Sequence, residues 1–172
     1  MTKIERRMGI ELRASGRKLE GYAAVFNTKA RIADFTEIIM PGAFRRSLNS
    51  GRDIVALVDH DPTRLLARTR TGTLKLSEDS RGLAFEIQVP DTQAGRDVLV
   101  LGDRKDLGGM SFGFTVEKDG ERWQGTRREL RALSLHEISV VSAWLAYDGT
   151  IVQARCKVPV RLAMALRYLE TV

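Results

Sequence analysis

The sequence predicts a mainly β, α+β fold in which a closed β-barrel of about six to seven strands is flanked by helices. Strand-like stretches outnumber helical ones along the chain, and closure into a barrel would remove exposed sheet edges. With 43% hydrophobic residues among 172, the chain can build one sizeable core but has little room for a second full domain. We therefore expect one barrel domain with a short C-terminal appendage.

Period-two alternation of apolar and polar residues predicts the strands. It is clearest where Leu83, Phe85 and Ile87 alternate with small or polar residues. A turn at residues 80–82 joins this strand to residues 73–79, which form the other arm of a hairpin. The remaining predicted strands, in chain order, are residues 11–26, 53–58, 110–118, 128–142 and 151–156.

Helices are fewer and shorter than strands. Residues 42–49 follow Pro41 and predict one helix, and residues 92–104 predict a second with Asp91 as its N-cap. The tail from Pro159 predicts a third, because proline is tolerated in a first turn and apolar residues then recur at helical spacing. These apolar residues are Leu162, Ala165, Leu166 and Leu169. Loops are predicted at residues 28–33 and 120–125.

The composition argues against several classes of protein. Cys156 is the only cysteine and there are two histidines, so we expect no internal disulfide and no metal site. No stretch approaches about 18 apolar residues and the charged start is unlike a signal peptide, which predicts a cytoplasmic protein without membrane contact. The net charge of +6 comes from short basic clusters separated by acids, and this pattern does not predict specific nucleic-acid binding.

Two segments carry residues that could form a serine-hydrolase site, which needs a nucleophile and a neutral imidazole. His60 lies where an apolar strand ends and a proline-directed turn begins, a position at which functional residues collect. Ser111 shares one strand face with Gly113, so its small neighbour leaves space around the hydroxyl. Taken singly, each also has a structural explanation: a salt-bridged surface histidine and a small residue on a crowded strand.

The third member of such a site would come from residues 133–141. Strand alternation places His136 and Glu137 on opposite faces unless a bulge intervenes, so only one of them can point at the site. Glu137 then follows Leu133 and Leu135 on its face, where an ionised carboxylate needs a partner such as an imidazole or an arginine. Glu137 is the favoured third member, and His136 is the alternative.

A succession of short motifs adds weight to these residues. In order, they are Gly21-Tyr-Ala-Ala-Val-Phe-Asn27, Glu37-Ile-Ile-Met-Pro-Gly-Ala-Phe44, Asp59-His-Asp-Pro62, Gly72-Thr-Leu-Lys-Leu76, Arg81-Gly-Leu-Ala-Phe-Glu86, Gly95-Arg-Asp-Val98, Met110-Ser-Phe-Gly-Phe114 and Glu137-Ile-Ser-Val-Val141. The succession resembles the caudovirus (tailed-phage) prohead protease family, which is also carried by prophages and gene transfer agents. That family is similar in fold and mechanism to the herpesvirus assembly protease, a β-barrel with surrounding helices.

The resemblance implies a role for each candidate residue. His60 would be the general base, Ser111 the nucleophile and Glu137 the group that orients His60. Herpesvirus enzymes use a second histidine as the third member, which keeps His136 as the alternative.

The resemblance also implies a function, a serine endopeptidase that cleaves the scaffolding segment of the major capsid protein, and itself, during procapsid maturation. It would act in the host cytoplasm, inside the procapsid, without a cofactor. Residues 1–156 would form the protease domain. The apolar stripe of the C-terminal helix, residues 157–172, would pack either on the chain's own barrel or on a second copy, as an assembly or dimerisation element of a homodimer. The alternatives are a non-catalytic capsid-assembly protein on the same fold, whose mark would be a replaced His60 or Ser111, and a basic nucleic-acid-binding barrel.

Overall fold

A computed structural model describes residues 4–9 and 11–142 of the chain. The strands are β1 (Glu5–Gly9), β2 (Glu11–Ser15), β3 (Lys18–Val25), β4 (Lys29–Ile32), β5 (Phe35–Ile39), β6 (Val55–Val58), β7 (Asp61–Arg68), β8 (Leu74–Glu78), β9 (Gly82–Gln88), β10 (Gly109–Val116), β11 (Glu121–Gln124), β12 (Arg127–Leu130) and β13 (Leu133–Val141). The helices are α1 (Arg45–Asn49) and α2 (Gln93–Asp103), and Thr69–Thr71 forms a short 3-10 helix.

The strands form three sheets. A five-stranded sheet has the order β1-β10-β13-β6-β7, and the two four-stranded sheets have the orders β11-β12-β5-β4 and β2-β3-β9-β8. Neighbouring strands are antiparallel except in the pairs β13–β6 and β12–β5, which are parallel. The five-stranded sheet contains Ser111 on β10 and Glu137 on β13, and His60 lies between β6 and β7. We call it the site sheet.

One face of the site sheet packs into the hydrophobic core. Met110, Phe112 and Phe114 of β10 are fully buried there, so the alternation predicted for this strand is confirmed. Phe44, just before α1, packs edge-on against Phe112 with 5.6 Å between ring centroids, and it stacks on Phe26 from the other side. Because each fully buried phenylalanine stabilises the fold by roughly 1.5–3 kcal/mol, β10 is fixed firmly against the core. The other face of β10 carries Ser111.

The mainly β, α+β class is confirmed, but the predicted count of about six to seven strands is wrong. The described residues form thirteen strands in three sheets, and no closed barrel is found among them. Turns split the long predicted strands: residues 11–26 become β2 and β3 around Gly16, whose φ of 59° is left-handed. Residues 128–142 are likewise divided into β12 and β13, because the amides of Arg131 and Ala132 both donate to the Gly120 carbonyl.

The two predicted loops are in fact edge strands. Residues 28–33 contain β4 and residues 120–125 contain β11, and these strands form the two edges of the same four-stranded sheet. The side chains of β11 are all exposed, as are those of β4 up to Ile32. Each of these strands has only four residues, nearly all of them exposed, so neither shows the longer apolar alternation that predicts a strand.

The other local predictions are mostly confirmed. The hairpin is formed by β8 and β9, and α2 covers residues 93–103. Its N-cap is Thr92 rather than Asp91, because the Thr92 hydroxyl accepts a hydrogen bond from the Gly95 amide at 3.2 Å. Asp91 instead forms an ion pair with Arg96. The predicted strand at 151–156, Cys156 and the tail helix lie outside the described residues.

A buried ion-pair network connects the N-terminal strand to the sheet that contains β5 and β12. Glu37 accepts hydrogen bonds from both Arg7 and Arg128, and only 2% of its residue surface is exposed. Glu5 also accepts from both arginines, and Glu121 accepts from Arg128 at 2.6 Å. Burial opposes the charge of Arg128, but the carboxylates outweigh this and raise the pKa of Arg128. The network therefore holds β1, at the edge of the site sheet, against the sheet that contains β5 and β12.

Removal of the central carboxylate should destabilise the fold strongly. We expect Glu37→Gln to lower the free energy of unfolding by about 3–5 kcal/mol, because two buried guanidinium groups lose their shared counter-charge. Urea unfolding followed by tryptophan fluorescence measures the change. The control is Glu20→Gln, which removes an exposed ion pair to Lys18 and should leave stability almost unchanged. Equal losses in the two variants would contradict a special role for the buried network.

Candidate functional site

His60 lies in a tight turn between β6 and β7. Asp59 and His60 are the two residues of the turn, and Val58 pairs with Asp61 across it. Their φ angles are 51° and 61°, as a type I′ hairpin turn requires at both of its central positions. This left-handed conformation is costly for residues other than glycine, and such strain persists only where the surroundings support it.

Contacts from β13 and β7 support the turn. The Asp59 carboxylate accepts hydrogen bonds from the Ser142 amide at 2.7 Å and the Ser142 hydroxyl at 2.6 Å. It also accepts one from Arg64 at 2.9 Å, and the Asp59 amide donates to the carbonyl of Val140. Burial opposes ionisation of this carboxyl, but the bonds from Ser142 and Arg64 outweigh it and lower the pKa of Asp59. The backbone that carries His60 is therefore fixed to the end of β13.

The His60 ring contacts the carboxylate of Glu137. His60 Nδ1 lies 2.7 Å from Glu137 Oε1, and both side chains are largely buried. Arg6 of β1 adds a longer ion pair, with 3.5 Å between its Nε and the same oxygen. Burial by itself would raise the pKa of Glu137. The hydrogen bonds from His60 and Ser139 and the nearby positive charge lower it by more, so the pKa of Glu137 lies below its ordinary value. An ionised Glu137 accepts a hydrogen bond from Nδ1–H, so a neutral His60 ring has its unprotonated nitrogen at Nε2.

The second oxygen of Glu137 is bonded to Ser139. The Ser139 hydroxyl donates to Oε2 at 2.6 Å, and this serine is fully buried. Ser139 was not singled out in the sequence, although it lies two residues after Glu137, a spacing that places both on one strand face. Arg6 was also missed, and no local signal marks it, because its place depends on the pairing of β1 with β10.

Ser111 lies on the same face of the site sheet, next to these groups. It pairs with Ser139 across β10 and β13, and only 1% of its residue surface is exposed. Its hydroxyl makes no hydrogen bond to any other described residue. Two positions along β10, a Cβ on Gly113 would come within 2.4 Å of Glu137 Oε1. A side chain at this position would have to displace the carboxylate, so glycine leaves room for Glu137 over the backbone.

A β-bulge corrects the expectation that His136 and Glu137 lie on opposite faces. Gly113 pairs with Glu137, but Phe114 pairs with Leu135, so His136 is an extra residue in β13. The residues of β13 that belong to the hydrophobic core are Leu133 and Leu135 before the bulge and Ile138 and Val140 after it. His136 and Glu137 consequently both project away from the core, on the face of Ser111, and Glu137 does not share a face with Leu133 and Leu135.

His136 has its own partners on this face. Its Nδ1 lies 3.1 Å from Arg52 Nη1 and its Nε2 lies 3.0 Å from the Thr115 hydroxyl. Because arginine can only donate, Nδ1 accepts and Nε2 carries the proton of a neutral ring. Burial and the charge of Arg52 both lower the pKa of His136, which favours the same neutral form. No hydrogen bond within the described part of the chain joins His136 to His60.

The described residues contain no group of three or more His, Cys, Asp and Glu side chains that could hold a metal ion. Neither α-helix among them has the length and apolar character needed to cross a membrane.

A serine, a histidine and an acid grouped on one face of a β-sheet define a candidate site of the serine-hydrolase class. The chain belongs to the caudovirus prohead serine protease family, whose model matches residues 5–161. The match includes every strand of the described fold and all the residues of the candidate site. No curated protein and no solved structure matches the chain. Family membership supports a protease role, a phage capsid protein as the substrate and action inside the procapsid.

Proposed function

We propose that the protein is a serine endopeptidase that cleaves the scaffolding segment of the phage major capsid protein, and itself, during procapsid maturation. Ser111 is the nucleophile, His60 the general base and Glu137 the acid that orients His60. The observation that carries this proposal is the 2.7 Å contact between His60 Nδ1 and Glu137 Oε1, on the sheet face that contains Ser111. A neutral histidine oriented in this way by a buried carboxylate has its basic nitrogen free for the serine proton.

The sheet pairing brings the three residues to adjacent strands. Ser111 on β10 pairs with Ser139 on β13, which pairs with Leu57 on β6, and His60 follows the end of β6. Because neighbouring strands lie about 4.8 Å apart, Ser111 is two strand spacings, or about 10 Å, from Leu57 at backbone level. The His60 ring extends from the turn beyond β6 back toward β13, as its contact with Glu137 requires.

The reaction follows from these positions. His60 Nε2 takes the Ser111 proton as the hydroxyl oxygen attacks the peptide carbonyl, and Glu137 stabilises the imidazolium that forms. The same histidine then protonates the departing amine, which leaves an acyl-enzyme on Ser111. Water activated by His60 releases the second product. Catalytic hydrogen bonds of this kind are often long or absent in the free enzyme and form when the substrate binds. The Ser111 hydroxyl, which has no partner among the described residues, agrees with this behaviour.

Two buried serines lie side by side in the site, and their hydrogen bonds distinguish them. The Ser139 hydroxyl donates to Glu137, so loss of its proton would place two negative charges in contact. The Ser111 hydroxyl has no such bond to another described residue and lies beside the small residue Gly113. This difference supports Ser111 as the nucleophile.

We extend the proposal to the location and the assembly of the enzyme. The enzyme acts in the host cytoplasm, within the procapsid, and needs no cofactor. Two copies associate through residues 157–172, which lie outside the described residues.

A covalent serine probe tests the assignment directly. A fluorophosphonate should label the purified protein once, and mass spectrometry of a digest should place the label on Ser111. The His60→Ala variant should lose this labelling, because no base then activates the hydroxyl. Ser134→Ala, which changes a serine of β13 bonded to Glu117, should be labelled like the wild type. Labelling at Ser139, or labelling that persists in His60→Ala, would contradict the proposed roles.

A further inference from the structure

Ser139 lies between the proposed nucleophile and the proposed acid. Ser139 on β13 pairs with Ser111 on β10, and its hydroxyl oxygen is 2.6 Å from Glu137 Oε2. None of its surface is exposed, so water does not compete for this bond. A hydrogen bond to a buried ionised group is among the stronger ones that a protein makes.

The bond fixes the plane of the carboxylate that faces His60. The terminal torsion of a glutamate side chain has a broad, roughly two-fold profile, so the carboxylate plane is weakly defined on its own. In this site Oε2 accepts a hydrogen bond from the Ser139 hydroxyl, and Oε1 accepts one from His60 Nδ1–H. Rotation of the carboxylate would break both bonds together. The orientation of the His60 ring therefore depends on Ser139 through Glu137.

We propose that Ser139 is a positioning residue of this site, whose hydroxyl holds the Glu137 carboxylate so that Oε1 orients His60. The inference rests on the proposed function of Ser111, His60 and Glu137. Other charged or titratable groups also surround Glu137: Arg6 from β1, His60 from the turn after β6, and His136 from β13 itself. Arg6 is 3.5 Å away and half-exposed, so it does not define the carboxylate plane as a short buried bond does.

The test compares Ser139→Ala with the matched variant Ser134→Ala on the same strand. For Ser139→Ala we expect kcat on a capsid-derived peptide to fall about tenfold to a hundredfold, with little change in KM, as for loss of a hydrogen bond to a charged group. The pKa of the Glu137 carboxyl should rise, which ¹³C NMR of the labelled carboxyl measures. Ser134→Ala should change neither quantity.

The two readouts separate failure of this inference from failure of the proposed function. The carboxyl titration needs no enzymatic activity, so it tests the Ser139 bond even if no peptide is cleaved. An unchanged Glu137 titration and an unchanged kcat in Ser139→Ala would overturn the inference. A loss of kcat without a change in the titration would also overturn it, because that result marks a purely structural effect. If Ser139→Ala does not fold, Ser139→Cys fills the site with a slightly larger side chain and a weaker donor, and it should show the same two changes at smaller size.

Discussion

Ser111→Ala should abolish capsid-protein cleavage while it leaves the fold intact. We expect kcat/KM to fall by about 10⁴-fold or more, because removal of a triad nucleophile leaves only the catalysis that comes from binding and from the oxyanion site. Co-expression with the cognate capsid protein, followed by gel analysis of its length, shows the loss qualitatively. Kinetics on a purified peptide substrate give the factor.

Stability provides the control for this variant. The Ser111 hydroxyl bonds to no other described residue, so its removal leaves no partner unsatisfied among them and should change the unfolding midpoint little. Ser134→Ala should retain full activity. A shortened capsid protein produced by folded Ser111→Ala would show that Ser111 is not the nucleophile.

The second large effect is expected from Glu137→Gln. The amide has nearly the shape of the carboxylate but no charge, and it can offer an NH₂ group to His60 Nδ1, which stabilises the wrong tautomer. The comparable change in serine-protease triads lowers kcat by about 10⁴-fold, and we expect a loss of that order here. His136→Ala should cost far less, because the His136 ring is bonded to Arg52 and Thr115 rather than to His60. Matched kinetics of the two variants measure the difference, and a loss confined to His136→Ala would reverse the assignment.

The pH dependence of this pair has a definite sign. The pKa of Glu137 is lowered in the folded protein, so its bonds contribute stability above the carboxyl pKa of the unfolded chain, about 4.3. That contribution is lost as the pH falls through the lowered, folded-state value. Glu137→Gln should therefore flatten the acid side of the stability curve, which chemical unfolding at several pH values measures.

Local sequence pattern predicted those parts of the fold whose side chains alternate with burial. The hairpin of β8 and β9 and the buried face of β10 are examples, because one side of each strand is apolar. The edge strands β4 and β11 could not be predicted in this way, since each has only four residues and nearly all of them are exposed. The same limit applies to sheet organisation, because the order β1-β10-β13-β6-β7 joins strands that are distant in the chain.

For the candidate site, the sequence by itself determined which side chains are available. His60 is at the end of a strand, Ser111 is two residues from Gly113 within a strand, and Glu137 follows His136 in a third strand. The motifs that contain these residues resemble those of one family. Tertiary structure decided how these groups meet. The bulge at His136 shifts the phase of β13, so Glu137 reaches His60 while Ser139 holds its other oxygen. A single inserted residue reverses the face of every later side chain in the strand. The apolar pattern of one strand cannot reveal such an insertion, because the register is set by the pairing of β13 with β10.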